Sequence, residues 1–415
     1  MPRTARPRRR AVLAALSCCV ALGCGTGTNP AGARPTRPPV APAGSGQGVV
    51  TWAASAYRVG EAARGDRGYR LVVHTSVGGS GLRVRLSNAF GDRPVTFGSV
   101  RAGLQRDGAA LVPGSNRPLT FGGATTVTVP AGGLVLSDPL PGHVPAGSDL
   151  VVSLHVTRAG GTLTGHALAM QTSYVSDGDH TAQESAAHWT RRTGSWFYLD
   201  AVTVRPRAGR AAVAALGDSI TDGWRSTAGL NRRWPDHLAR RLAESRTGTV
   251  EGVANEGIAG NRVLTDGPGQ SSLNRLSRDV LSLPGVRTVF LFQGVNDIKA
   301  EPAPTAAQLI AGYRTLIQRA HAAGKCVVGA TVAPFKGWPE WDPAAEAVRR
   351  KVNAFIRDSG AFDAVTDFDR VLRSPHDPER MLPVFDSGDH IHPNDKGMRA
   401  MADAVDLDSL ECRTG

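Results

Sequence analysis

Four polar clusters in this chain hold the groups that acyl transfer needs. They are Gly217-Asp218-Ser219-Ile220, Asn255-Glu256-Gly257, Gly294-Val295-Asn296-Asp297 and Asp389-His390-Ile391-His392. A serine hydroxyl is a useful nucleophile at neutral pH only with a base beside it. His392 is the candidate base for Ser219, and Asp389, three residues earlier, can hold the imidazole in the required tautomer. A tetrahedral oxyanion needs donors, and the Ser219 amide, the Gly257 amide and the Asn296 carboxamide are the candidates. Each such donor is worth about 10²–10³ in turnover. Glycine at 257 would let the backbone approach a substrate without a Cβ.

The same residues carry plainer readings. Gly-Asp-Ser alone is commonly a turn or a helix cap. Asn255 reads as structural and Asp297 as a loop brace. His390 is an alternative base, or with Asp389 and His392 the makings of a metal site. Trp224 and Arg225 follow the nucleophile turn as pocket-lining candidates, with core packing the other reading for Trp224. His74 and His155 lie in strand patterns and read as structural.

Elements must bring these clusters together. From 211 onward apolar runs alternate with helical periodicity. Ala211–Leu216, Thr249–Ala254, Arg287–Phe292, Lys325–Val332 and Phe362–Thr366 read as strands. Asn231–Ser245, Thr305–Ala323, Pro343–Ser359 and Asn394–Val405 read as helices, with a Thr305/Gln308 capping box and Gly324 as a stop. Alternation of this kind predicts a doubly wound α/β domain over 207–415, with every cluster at the carboxyl edge of one parallel sheet. From 48 to 206 short strands such as Tyr69–Thr75, Leu82–Ser87 and Asp149–Thr157 are separated by Gly/Pro turns, which predicts an all-β sandwich or jelly roll.

The N-terminus reads as an export signal over 1–24: arginines at 3, 6, 8, 9 and 10, then the apolar run Ala11–Gly23, too short to span a bilayer. Val20-Ala21-Leu22-Gly23-Cys24 resembles a bacterial lipobox, in which Cys24 would be lipidated. Ordinary cleavage after Ala21 or Gly23 and a membrane-spanning signal anchor are the alternatives. Arg9-Arg10 resembles a twin-arginine signal, so the export route stays open. Residues 25–47, rich in Pro, Gly, Ala and Thr, read as a flexible linker. Losing the five leader arginines lowers the formal charge from +12 to +7. No basic stripe interleaved with aromatics is present, so nucleic acid is not an expected partner. Of five cysteines, Cys326 and Cys412 fall in the α/β part. Cys326 starts a strand at the edge opposite the clusters, and the last helix returns the chain to that edge. A Cys326–Cys412 disulfide is the expectation, two unpaired thiols the alternative. No Cys/His spacing resembles a zinc site and no cofactor is expected.

The ordered blocks Gly-Asp-Ser-Ile-Thr-Asp, Asn-Glu-Gly-Ile-Ala-Gly, Gly-Val-Asn-Asp and Asp-His-Ile-His-Pro-Asn resemble those of the SGNH (GDSL) hydrolases across about residues 211–407. The resemblance implies a five-stranded flavodoxin-like sheet, with the family's diagnostic residues at Ser219, Gly257, Asn296 and His392, and Asp389 in its D-x-x-H position. A β domain ahead of the hydrolase resembles exported actinobacterial GDSL esterases. Ser219 is not in G-x-S-x-G, so the chain does not resemble a standard α/β-hydrolase. The expectation is a metal-independent, exported, monomeric serine esterase, extracellular or a lipoprotein on a bacterial surface. It would take short-chain acyl esters, with O-acylated carbohydrate foremost and lipid or lysophospholipid second. Membrane contact is expected only through the lipid anchor. The rivals are an inactive cell-surface binding protein and a metal-dependent hydrolase.

Overall fold

The computed structural model describes residues 48–411 apart from 160, 246 and 247. The expectations for the leader (1–24), Cys24, the linker (25–47) and Cys412 therefore lie outside the described residues. Strand β1, Ala211–Gly217, is buried along its whole length. It lies inside a five-stranded, all-parallel sheet with β2 (Val250–Gly257), β3 (Val286–Phe292), β4 (Cys326–Ala330) and β5 (Ala364–Thr366), in the order β2-β1-β3-β4-β5. Side chains alternate across a strand, and here both faces are covered. Ala212, Ala214 and Leu216 join one apolar cluster, with Tyr313 and Leu316 of one helix and Val352 and Ile356 of another. Ala211, Val213 and Ala215 join a second cluster, with Trp234, Leu238, Met398 and Met401. Burial on both faces is why β1 reads as an unbroken apolar run.

The helices that frame the site are α1 (Ser219–Asp222), α2 (Trp234–Glu244), α3 (Ser272–Leu276), α4 (Val295–Ile298), α5 (Ala306–Ala322), α6 (Pro343–Asp358) and α7 (Asp395–Asp403), with a further short helix at Phe368–Leu372 between the last two. Thr305 caps α5 reciprocally: its hydroxyl accepts from the Gln308 amide at 3.3 Å and its own amide donates to Gln308 Oε1 at 2.9 Å. Two departures from the sequence reading matter for the site. Strand β2 runs on through Asn255-Glu256-Gly257, so this cluster is strand end and not loop. The helical stretch α3, continued by a wider turn over Ser277–Leu281, has no counterpart in the expected elements.

Residues 49–205 form antiparallel sheets, as their turn-punctuated pattern predicts. Arg67–His74 pairs with Asp149–Arg158, which pairs with Val95–Asp107. Gly79–Ser87 pairs with Leu199–Arg205, which pairs with Val49–Ala53. This β-rich part covers the outer edge of β2. Ala54 bridges Asn255, and Ser76 Oγ accepts from the Val253 amide at 2.9 Å while donating to the Thr51 carbonyl at 2.6 Å. An otherwise open sheet edge is thereby closed. One apolar cluster runs from Trp52, Leu71 and Leu154 through Ala212 and Val289 to Tyr313, so the β-rich and α/β parts share a core. No helix among the described residues is long and apolar enough to cross a membrane.

On the other face Phe290 is fully buried and its ring meets those of Trp234 and Phe368. Phe290→Ala should cost about 3–5 kcal/mol. Urea unfolding followed by tryptophan fluorescence would show the lowered midpoint.

Candidate active site

Ser219 owes its position to the end of β1. Asp218 adopts an extended conformation, and its carboxylate accepts from the Ile220 amide at 3.1 Å, starting α1 with Ser219 as its first residue. The hydroxyl is within 2.9 Å of His392 Nε2, and His392 Nδ1 lies 2.8 Å from Asp389 Oδ2. Ser219 and His392 are each only 7% exposed. The Asp389–His392 segment orders itself locally. Asp389 Oδ1 accepts from the His392 amide at 2.9 Å and from the Ile391 amide at 3.2 Å, a self-closing turn that fixes the carboxylate against its own histidine. Arg225 adds a fourth bond, its Nε donating to Asp389 Oδ2 at 3.1 Å. It does so from a left-handed backbone (φ 72°), and its guanidinium lies over the Trp224 ring. Trp224 is 39% exposed, outside the core. Arg225, a pocket-lining candidate from its position alone, thus holds the carboxylate, a role that no local sequence signal marks.

Burial pushes the His392 imidazole below its ordinary value. Lys299 and Arg225 push the same way, and the Asp389 bond and charge only partly oppose them. The ring is therefore neutral at neutral pH, with Nε2 free to accept the serine proton. Asp389 is held well below the usual carboxylate range. Burial would raise it, but the His392 amide, the His392 ring and the Ile391 amide outweigh that. Lys299 sits over the Trp338 ring at 4.4 Å, and the edge of that indole meets the His392 ring at 6.0 Å.

The oxyanion side departs from the sequence reading at one position. Gly257 pairs with Gly217 inside the sheet, and its amide donates to Asn255 Oδ1 at 3.0 Å, so it is not a free donor. Its lack of a side chain serves packing: a Cβ there would come within 2.2 Å of the Asp222 amide nitrogen in α1. The loop beyond β2 holds a second glycine whose amide is free: Gly260 has φ +75°, and its amide has no hydrogen-bond partner among the described residues. It is bracketed by two fixed neighbours. The Ala259 amide donates to Asp222 Oδ2 at 2.9 Å, and the Asn261 carbonyl accepts from Asn296 Nδ2 at 3.1 Å. That bond uses one hydrogen of the Asn296 carboxamide and leaves the other to point elsewhere. The second glycine of Asn255-Glu256-Gly257-Ile258-Ala259-Gly260 was the available signal.

The remaining candidates have structural partners. Asp297 accepts from the Val263 and Leu264 amides at 2.8 and 3.0 Å, and burial raises it to about 6. Asn255 also donates to the Thr221 carbonyl at 2.7 Å, tying β2 to α1. His390 turns to Asp386, with Nδ1 to Oδ2 at 2.7 Å, so the two histidines of the cluster serve different carboxylates. Among the described residues no three His, Cys, Asp or Glu side chains are grouped to hold a metal ion. His74 pairs with Asp149 and His155 with Asp66, both within the β-rich part.

A parallel sheet of order 2-1-3-4-5, with Ser219 after β1 and Asn296 after β3, places the site at the topological switch point. Residues 215–400 match the model of the GDSL-like lipase/acylhydrolase family, and this part of the chain is a domain of that ester-hydrolysing family. Among solved structures, the chain is similar to a GDSL-like lipase from Bacteroides thetaiotaomicron (20% identity, 46% of this chain and 84% of that one, TM-score 0.37). It is also similar to an aryl esterase from M. smegmatis (17%, 47% and 95%, 0.38) and a carbohydrate acetylesterase from Sinorhizobium meliloti (17%, 46% and 95%, 0.37). No curated protein matches it.

A base role for His392 requires the neutral ring, so under that role kcat/KM should fall at acid pH with an apparent pKa below the ordinary imidazole value of about 6.5. Lys299→Met removes a cation that depresses it, so the acid limb should move to higher pH. A pH profile of aryl ester hydrolysis reads both.

Proposed function

We propose that the chain is an exported serine ester hydrolase that cleaves short acyl esters, foremost those on carbohydrate. The unbroken relay from Ser219 Oγ through His392 to Asp389 carries this reading. Ser219 attacks the acyl carbonyl and passes its proton to His392 Nε2. Asp389 holds the Nδ1 proton and offsets the imidazolium charge. The oxyanion takes hydrogen bonds from the Asn296 carboxamide, the Ser219 amide and, in place of Gly257, the Gly260 amide. His392 then protonates the departing alkoxide, and a water activated by the same ring releases the acid from the acyl-enzyme. Trp224, partly exposed beside the nucleophile turn with the Arg225 guanidinium over its ring, gives a mixed aromatic and polar surface suited to a sugar, which supports carbohydrate over lipid.

Export and lipidation at Cys24 belong to the same proposal, supported by the leader sequence. The Cys326–Cys412 bridge does too. Thr288, the register partner of Cys326, donates its hydroxyl to the Leu410 carbonyl at 2.7 Å, which brings the chain end to that strand.

Ser219→Ala should abolish hydrolysis of a short-chain aryl ester and labelling by a fluorophosphonate, with circular dichroism unchanged; retained turnover rejects the serine mechanism. Asn296→Ala should lower kcat by about 10²–10³. A panel of acetylated oligosaccharides, aryl esters and phospholipids ranks the substrates. Thiol titration of denatured, unreduced protein should find neither Cys326 nor Cys412 free.

A further inference from the structure

α1 is a single turn. Its own bonds are few, the Asp222 amide to the Asp218 carbonyl and the Gly223 and Trp224 amides to the Ser219 carbonyl, all at 2.9 Å. A helix this short does not hold itself in place, so outside contacts set where Ser219 lies. The last residue of the turn, Asp222, is buried and faces His166 of the β-rich part, with His166 Nε2 to Asp222 Oδ1 at 2.9 Å.

The surroundings of His166 fix its charge. Nδ1 lies 2.9 Å from the Ser55 carbonyl and Nε2 lies 3.0 Å from the Leu168 carbonyl. Carbonyls only accept, so both ring nitrogens must carry hydrogen and the ring is an imidazolium. It is 2% exposed, enclosed by the rings of Tyr57 and Trp196, with Asp222 as its counter-ion. Burial works against the charge, and the Asp222 charge and hydrogen bonds more than restore it, so the pKa is raised. Arg233, the nearby cation that also feels Asp222, is taken by both oxygens of Asp236.

We infer that His166 is a positioning residue for the hydrolase site, a buried imidazolium from the β-rich part that fixes Asp222 and thereby both the nucleophile turn and the loop carrying Gly260. One Asp222 oxygen meets His166, and the other takes the Ala259 amide immediately before Gly260. A shift of Asp222 therefore moves the nucleophile and a proposed oxyanion donor together. The inference rests on the reading of Ser219 as nucleophile, and it gives the β-rich part a role in turnover.

The test compares wild type, His166→Gln, Asp222→Asn and the double variant in the full chain, reading kcat and KM on a short aryl ester and the rate of fluorophosphonate labelling. Misplacement by about 1 Å costs on the order of 10²-fold in rate. Each single variant should therefore lose about 10- to 100-fold in kcat and labelling rate, with KM little changed. The double variant should be no worse than the worse single, because both cut one chain of contacts. A lower Tm with kcat per folded molecule intact would overturn the inference, as would multiplicative losses in the double variant. If His166→Gln does not fold, Asp222→Asn alone decides: unchanged kcat overturns the inference. Absence of wild-type labelling would instead count against the serine reading.

Discussion

One fully buried guanidinium, that of Arg275, holds the ends of the two strands from which the reactive loops spring. Its Nη2 donates to the Gly217 carbonyl at 2.9 Å, where β1 ends before Asp218 and Ser219. Its Nη1 donates to the Glu256 carbonyl and to Ser55 Oγ, both at 2.7 Å, and its Nε donates to Asn261 Oδ1 at 3.0 Å, just past Gly260. One rigid fork thus spans β1, β2, the Gly260 loop and the β-rich part. A lysine has the charge but not the planar set of donors. Burial pushes the guanidinium pKa down, and Asp279 and Glu256 pull it part of the way back. Removing such a partner strands several acceptors without water and costs about 3–5 kcal/mol.

The parts of the site legible in the sequence are those fixed by short-range rules. The unbroken apolar run of β1 announces a strand buried on both faces. Asp389 and His392 are three residues apart, and a turn closed by the Asp389 carboxylate on the Ile391 and His392 amides needs only that spacing. What escaped was set by where elements stop or by chain far away. Gly257 looks like a loop glycine because a strand end and a loop share the same polar letters, and only the pairing with Gly217 separates them. Arg275 lies in a stretch where Leu273, Leu276 and Val280 do have helical spacing, but it is a charged residue among them, and nothing local marks it as buried rather than solvated. His166 lies 56 residues before its partner Asp222, in another part of the chain, where it reads as one more strand histidine.

The site keeps its charges in separate states by giving each a different environment. Asp389 is ionised because the His392 amide and ring and the Ile391 amide outweigh its burial. Asp218, only one residue before Ser219, is buried with the Ile220 amide as its main donor, and is raised to about 7. His392 is neutral while His166 is charged, although both are buried histidines facing an aspartate. The difference lies in the second ring nitrogen. In His392 it faces a hydroxyl, which can donate to it or accept from it, and Lys299 and Arg225 oppose a positive ring. In His166 it faces the Ser55 carbonyl, which can only accept. The same residue type is thereby held neutral in one place and charged in the other.

The same buried ions bear on how the two parts of the chain relate. Between them lie Arg85 with Asp200 and Ser282, Ser55 with Glu256 and Arg275, and His166 with Asp222. Buried ion pairs are poor sources of net stability, since desolvation offsets most of the attraction, but they tolerate few alternative geometries. The shared apolar core supplies the cohesion, because Leu71, Ala212 and Val289 need only be out of water. The polar contacts supply the register. A module that merely delivered the hydrolase to a surface would need cohesion alone. Charged and hydrogen-bonded contacts converging on α1 and the ends of β1 and β2 serve instead to fix where Ser219 sits relative to Gly260 and Asn296.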